Sequence, residues 1–354
     1  MAKYSNIIGD DDYLVSEVPD VPLWNETLAV MFADPKTSVS ALFYLGRWWG
    51  KPTTLRQMLA FLLPGDRALY IKNYGPPQQG KVPSAAGLTM EPLGDGRIHL
   101  TFDGPMELRK QSDVARYGMG TGPTVRAEVD MIFSSTMPIW DLHATDPHEE
   151  EKDLMFPGGH MEQLGKVTGT LKFDGEVVQI DQAPTVRDHS RGVRNWSTHH
   201  SHVWINGQFP SGWGFCCFRG SIVGQPGYAM NSAALFKDGK IIGATVETEG
   251  LTHPGSDIWK PFDLILKPEG QSSIKIHVAN MWNCYQLGMY EPADIYFGIP
   301  TSSADSDIAT WSLEQSGEFH CDGEIGFGWV ERSNRDIGVD DHWRSMCTAE
   351  KISR

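Results

Sequence analysis

The run Val167-Thr168-Gly169-Thr170-Leu171-Lys172-Phe173-Asp174-Gly175-Glu176-Val177-Val178-Gln179-Ile180 decides the fold class. Val167, Gly169, Leu171 and Phe173 alternate with Thr168, Thr170 and Lys172, the period of two that places successive side chains on opposite faces of a strand. Asp174-Gly175 then supplies the two residues that tolerate positive φ, as a type I′ turn requires. Val177, Val178 and Ile180 resume the apolar pattern. The reading is an antiparallel hairpin.

Three more Asp-Gly pairs stand between similar flanks: Asp95-Gly96, Asp238-Gly239 and Asp322-Gly323. The first and third pairs are about as far apart as the second and fourth, which suggests a duplicated β unit. Leu55 to Leu63 has the propensity of a short helix, but Pro64-Gly65-Asp66 followed by Ala68-Leu69-Tyr70-Ile71 reads as another hairpin. Strand-turn-strand patterns without βα alternation, and without a GxGxxG after a strand, predict antiparallel sandwiches or barrels and exclude a nucleotide-binding α/β fold.

Composition agrees. A chain of 354 residues is long enough for about two domains. The 30 Lys and Arg against 45 Asp and Glu give a net charge of −15, which repels phosphate backbones and anionic headgroups, so no nucleic-acid partner is expected. Hydrophobic residues at 40% exclude wholesale disorder. The 37 Gly and 22 Pro suit many turns, and the 12 Trp suit a core or a pocket for a large flat ligand. The first residues carry no apolar run of signal-peptide length, and no later stretch has the length of a membrane span. Five Cys without a CxxC read as reduced thiols, so the expected compartment is the cytoplasm. The acidic segment from Asp141 to Asp153 reads as a solvated loop.

Ionisable residues are densest between Gly159 and His202. His160-Met161-Glu162-Gln163 precedes the hairpin, and Arg187-Asp188-His189-Ser190-Arg191-Gly192-Val193-Arg194-Asn195-Trp196 follows it. In an extended chain Arg187, His189 and Arg191 share one face and Asp188 and Ser190 the other. Arg187 and Arg194 could brace a domain junction through carboxylates such as Asp188 or Glu162. Alternatively a carboxylate beside His and Arg could hold an imidazole tautomer and keep a proton donor next to a cation. Further on, His200, His202 and Trp204 fall on one strand face, suited to a polar wall of a ligand cavity or, with His199, to a metal site. No Gly-x-Ser-x-Gly occurs, which disfavours a serine hydrolase of that type.

The run His-x-Glu-Gln, Gly-x-Leu-x-x-Asp-Gly, Arg-Asp-His-Ser-x-Gly-x-Arg-x-Trp resembles the two-domain lipocalin-like family of carotenoid 1,2-hydratase (hydroxyneurosporene synthase) and related fungal Diels-Alder cyclases. His160, Glu162, Gln163, Arg187, Asp188, His189, Ser190, Gly192, Arg194 and Trp196 carry it. Weaker likeness extends to Trp24-Asn25-Glu26 and to the strand around Asp322-Gly323. Arg191 stands where the family usually has Trp, and Asn195 where it usually has Asp. A guanidinium in place of an indole repels a carbocation. Carotenoid hydration is therefore not expected, and the substrate should be an oxygenated aromatic or polycyclic molecule.

The resemblance implies an all-β fold of two lipocalin-like antiparallel β-barrel or sandwich units in tandem, residues 1–190 and 191–354. It also implies a lyase without cofactor or metal (hydro-lyase, carbon-carbon lyase or cyclase) acting by proton transfer on a bulky hydrophobic small molecule. Asp188 and His189 are the expected proton-transferring pair, His160 and Glu162 a second polar group in the same cavity, and Arg191 the anion-stabilising cation. Arg187, Arg194, Trp196, His200, His202 and Trp204 are expected to bind substrate. The rival readings are a carrier that sequesters the same ligand, and a metal-dependent enzyme using the His199–His202 cluster. A homodimer is compatible with the sequence.

Overall fold

The computed structural model describes residues 12–48, 50–111, 122–142, 159–194, 199–251, 259–288 and 311–334. The first unit starts with β1 (Trp24–Asp34), β2 (Val39–Trp48), β3 (Leu55–Leu63) and β4 (Arg67–Gly75). Then come β5 (Ser84–Ala85), β6 (Leu88–Pro92), β7 (Arg97–Lys110), β8 (Thr124–Ser135), β9 (Trp140–Asp141), β10 (Gly159–Phe173) and β11 (Glu176–Val193). The order β4-β3-β2-β1-β11-β10-β8-β7, closed by pairing of β4 with β7, makes an antiparallel barrel of eight strands, with β5, β6 and β9 attached outside the ring. The second unit contains β12 (His199–Gln208), β13 (Gly214–Ile222), β14 (Met230–Lys237), β15 (Lys240–Val246), β16 (Phe262–Pro268), β17 (Ile274–Gly288), β18 (Trp311–Cys321) and β19 (Glu324–Asn334). These pair in sequence order and close through β12 and β19. The expected tandem of antiparallel β-barrels is therefore the observed fold. Closure removes the free sheet edges that an open sheet of this size would carry.

Three of the four Asp-Gly pairs form the expected tight turns. Asp174 and Gly175 have φ of 47° and 78°, Asp238 and Gly239 of 52° and 69°, and Asp322 and Gly323 of 48° and 83°. The fourth differs: in the turn between β6 and β7, Gly94 and Gly96 hold the positive φ rather than Asp95. This corrects the pairing of the repeats. The turns at Asp174 and Asp322 are equivalent, each being the last hairpin of its barrel. The turn at Asp238 corresponds instead to Pro64-Gly65-Asp66 between β3 and β4, because β6 lies outside the ring. Leu55–Leu63 is a strand, buried at all nine positions. Leu55, Leu59, Phe61 and Leu63 face the interior of barrel 1, while Met58, Ala60 and Leu62 face barrel 2. A strand covered on both faces loses its alternation, hence its likeness to a helix.

The barrels pack side to side around an apolar cluster drawn from both, including Met31, Leu42, Trp140 and Leu164 from barrel 1 and Trp204, Phe218, Phe236 and Trp329 from barrel 2. Gly214 permits the approach, since a Cβ there would stand 2.8 Å from Leu164 Cδ1. Polar clasps fix the angle. Gln208 Nε2 donates to Gly165 O and Thr185 O, both at 2.9 Å, and Asn283 Nδ2 donates to Ser38 O at 2.9 Å and Ser40 Oγ at 2.7 Å. Among the described residues no helix is long and apolar enough to cross a membrane.

Candidate active site between the barrels

The motif strand β11 serves two compartments. Its pairing with β1 sets Arg187 beside Val30, His189 beside Leu28 and Arg191 beside Glu26, on the face that looks into barrel 1. Asp188 and Ser190 look outward to the seam. The alternation read from the sequence is correct, and it separates residues expected to act together.

Inside barrel 1, opposite charges match. Arg187 Nη1 donates to Asp12 Oδ1 at 2.7 Å and its Nε to Gln163 Oε1 at 3.0 Å. His189 Nε2 lies 3.1 Å from Glu26 Oε1, and Arg47 Nε donates to Glu26 Oε2 at 2.7 Å. The Val15 N–H also donates to Glu26, so residues 12–15 strap the end of the barrel. Burial pushes the Glu26 carboxyl up, but His189 and Arg47 more than offset this and hold it below its ordinary value. The carboxylate that Arg187 meets at 2.7 Å is thus Asp12, in the strap of barrel 1.

On the seam face, β10 aligns His160 with Ser190 and Glu162 with Asp188. His160 Nε2 stands 2.5 Å from Asp188 Oδ2 and 3.9 Å from Glu162 Oε1. Burial disfavours the imidazolium, yet Asp188 and Glu162 raise the His160 pKa above its ordinary value. Burial raises Glu162 to about 7, although His160 opposes the shift. The Trp204 indole and the Cys216 thiol, both from barrel 2, also oppose the shift. Arg194, just past β11, is lowered to about 10 by burial against the attraction of Asp188. The pair that the structure brings together is thus His160 with Asp188. His189 and Asp188 lie on opposite sides of the sheet, and Arg191 shares the His189 side.

The barrel 2 wall holds a second correction. The pairing of β12 shifts between His199 and Ser201, a bulge that places His199 rather than His200 beside His202. His199 Nε2 is 2.8 Å from His202 Nδ1, whereas His200 Nδ1 is 3.2 Å from Ser201 Oγ. His202 stacks on Phe218 at 5.2 Å between centroids, and His160 meets the same ring edge-on at 6.3 Å. His202 Nε2 reaches Glu331 Oε1 at 2.6 Å. Among the described residues no group of three or more His, Cys, Asp or Glu is arranged to hold a metal ion. Trp196, Asn195 and most of the acidic segment after Leu142 lie outside the described residues.

Sequence reasoning missed Asp12, Arg47, Glu314 and Glu331 as parts of these networks. The signal for the last two was a carboxylate inside strand-like sequence, Ser312-Leu313-Glu314 and Trp329-Val330-Glu331. Glu26 was visible only as part of a weakly matching triplet.

Two eight-stranded barrels with an ionisable group buried in their seam define a tandem lipocalin-like protein. The chain belongs to the family described as a domain of unknown function, DUF7064, whose model matches residues 10–257. Among solved structures it is similar to an AttH candidate from Nitrosomonas europaea, at 11% identity and a TM-score of 0.56 over 91% of this chain and 95% of that one. It is also similar to kievitone hydratase from Nectria haematococca, at 11% identity and a TM-score of 0.51 over 93% of each chain. At such identities the likeness is one of fold, and it extends over nearly the whole of both barrels. No curated protein matches the chain in sequence.

Proposed function

We propose that the protein is a cofactor-independent lyase of hydratase or cyclase type, moving protons on a bulky, oxygenated aromatic or polycyclic molecule held in the seam. The observation that carries this reading is Glu162, a carboxyl group raised to about 7 by burial, beside the His160–Asp188 pair. A general acid works best with a pKa near the operating pH, and a carboxylic acid that stays protonated near neutrality can deliver a proton to carbon or oxygen. Asp188 orients and charges His160, and Arg194 is the cation beside Asp188, the part first expected of Arg191. Trp204 and Phe218 supply flat apolar surface for the substrate. The hydratase neighbour supports the reaction class, since it shares the fold over 93% of its length.

The carrier reading draws on one observation, the ion pairing of Arg187 and His189 inside barrel 1, which leaves those two groups structural. Incubation with a panel of phenols and polycyclic phenols bearing alkene side chains, in heavy water enriched in oxygen-18, separates the two. A lyase introduces deuterium or oxygen-18 into at least one member, and Glu162→Gln lowers that rate about 10²–10⁴-fold while still binding the phenol. Binding without isotope incorporation returns the carrier to first place.

A further inference from the structure

Opposite the His160 group, barrel 2 presents a string of ionisable side chains that the reading above leaves unused. His199 Nε2 lies 2.8 Å from His202 Nδ1, and His202 Nε2 lies 2.6 Å from Glu331 Oε1. Ser312 Oγ donates to the same Glu331 oxygen at 3.0 Å. Glu331 is the direct cross-strand partner of Glu314, whose Oε2 accepts from Trp329 Nε1 at 2.7 Å. Ser333 Oγ stands 2.6 Å from His202 Nδ1 and accepts the His202 backbone N–H at 3.0 Å, which fixes the ring. A buried carboxylate beside another carboxylate is strongly disfavoured from ionising. Burial, reinforced by the charge of Glu331, accordingly pushes Glu314 well above its ordinary value. This string and the His160 group meet at the Phe218 ring, which His202 stacks on and His160 meets edge-on.

We propose that His202, Glu331 and Glu314 form a second acid–base unit, so that a substrate in the seam is served by a proton donor on one barrel and a proton acceptor on the other. The inference rests on the lyase reading and adds the kind of reaction: one in which a proton is taken from one reacting atom, of the substrate or of water, as another is delivered to the substrate. In the addition of water to an alkene, a water O–H bond breaks and its proton passes to the Glu331–His202 side. The water oxygen forms the new C–O bond, and the π pair of the alkene takes a proton from the Glu162–His160 side. No net oxidation occurs. One proton is gained on barrel 2 for each one lost from barrel 1, and exchange with solvent resets both. Glu314, pushed well above its ordinary value by burial and by the charge of Glu331, keeps its proton. Facing Glu331 are His202 from β12 and Glu314 and Ser312 from β18. His199 stands behind His202, and His160, Asp188 and Glu162 face it from barrel 1 across Phe218.

The test measures single-turnover deuterium transfer to the best alkenyl phenol of the panel across pH, for the wild type, Glu331→Gln, Glu331→Asp and Glu162→Gln. Glu331→Gln is expected to slow transfer about 10²–10⁴-fold and to remove the basic group's limb of the pH–rate profile. Glu331→Asp restores part of both, and Glu162→Gln removes the opposite limb. A wild-type rate and profile in Glu331→Gln, with loss in Glu162→Gln, overturns this inference and leaves the lyase reading standing. Wild-type behaviour in both variants, or no transfer by the wild type, overturns both. A measurement without substrate covers variants that fold poorly: infrared spectra at neutral pH should show protonated carboxyl stretches from both Glu314 and Glu162, and Glu314→Gln should remove a component that Glu162→Gln leaves in place. Spectra in which Glu314→Gln removes no such component overturn the protonated Glu314.

Discussion

The two faces of β11 carry residues from one motif and treat them oppositely. Toward the interior of barrel 1, Arg187 and His189 each meet a carboxylate, and Glu26 is held below its ordinary pKa. Toward the seam, Glu162 rises to about 7 and Arg194 falls to about 10. Glu26 and Glu162 are both shut away from solvent, so exposure alone does not separate them. The difference lies in the supply of opposite charge to each carboxyl: His189 and Arg47 both attract Glu26, while at the seam Asp188 adds its like charge to the burial of Glu162 and His160 offsets only part of it. A motif can thus be half scaffold and half chemistry, with the strand's two-residue period deciding which residue does which.

The largest effect that would break this contrast is on stability. Arg187→Ala leaves Asp12 buried without its guanidinium and Gln163 without its donor, and is expected to destabilise the fold by about 3–5 kcal/mol. Chemical denaturation should show this as a lowered midpoint, with seam chemistry intact in the folded fraction. A midpoint equal to that of the wild type would place Arg187 among the functional residues after all.

Next in size is a pair of pH responses with opposite signs. The folded-state pKa of Glu162 is raised, so its contribution to stability is fully present below about pH 4.5 and is lost as the pH rises through about 7, roughly 3 kcal/mol in all. The folded-state pKa of Glu26 is depressed, so its contribution is present above its unfolded value and is lost as the pH falls through the folded one. Unfolding free energies of Glu162→Gln and Glu26→Gln, each subtracted from the wild type across pH, should slope in opposite directions. Parallel slopes would erase the distinction between the two faces.

The smallest effect concerns Arg191, half-buried on the inner face at the level of Glu26. Arg191→Trp is expected to change stability by less than about 1 kcal/mol and to leave phenol binding within twofold of the wild type, as calorimetric titration would show. A large loss of affinity would put Arg191 back beside the substrate.

Much of the architecture was legible, because Asp-Gly turns and two-residue alternation are local signals. The repeat was legible only in part: Asp95-Gly96 has the composition of a barrel hairpin but joins a strand outside the ring, and spacing alone cannot tell ring from appendage. Within the site, alternation sorted β11 by face, yet the partners of each face come from distant strands. Asp12 pairs with Arg187, and Trp204 and Cys216 approach Glu162, through tertiary contacts that no spacing encodes. The His199–Ser201 bulge reversed which histidine faces the seam, since one extra residue shifts the side-chain phase of the strand before it.

The closing of barrel 1 also sets an order of events. Trp24 pairs with Val193 and Phe32 with Thr185, so β1 waits for a neighbour that is made long after it. Joining such distant segments carries a large loop-closure entropy, and contacts of this kind are slow to form. At ribosomal rates the interval before β11 emerges is on the order of ten seconds, during which the edge of β1 bearing Leu28, Val30 and Phe32 has no strand beside it. The strand that bears the motif is the last stave of its barrel, and a nascent chain stalled before Thr185 has neither a closed barrel nor a seam.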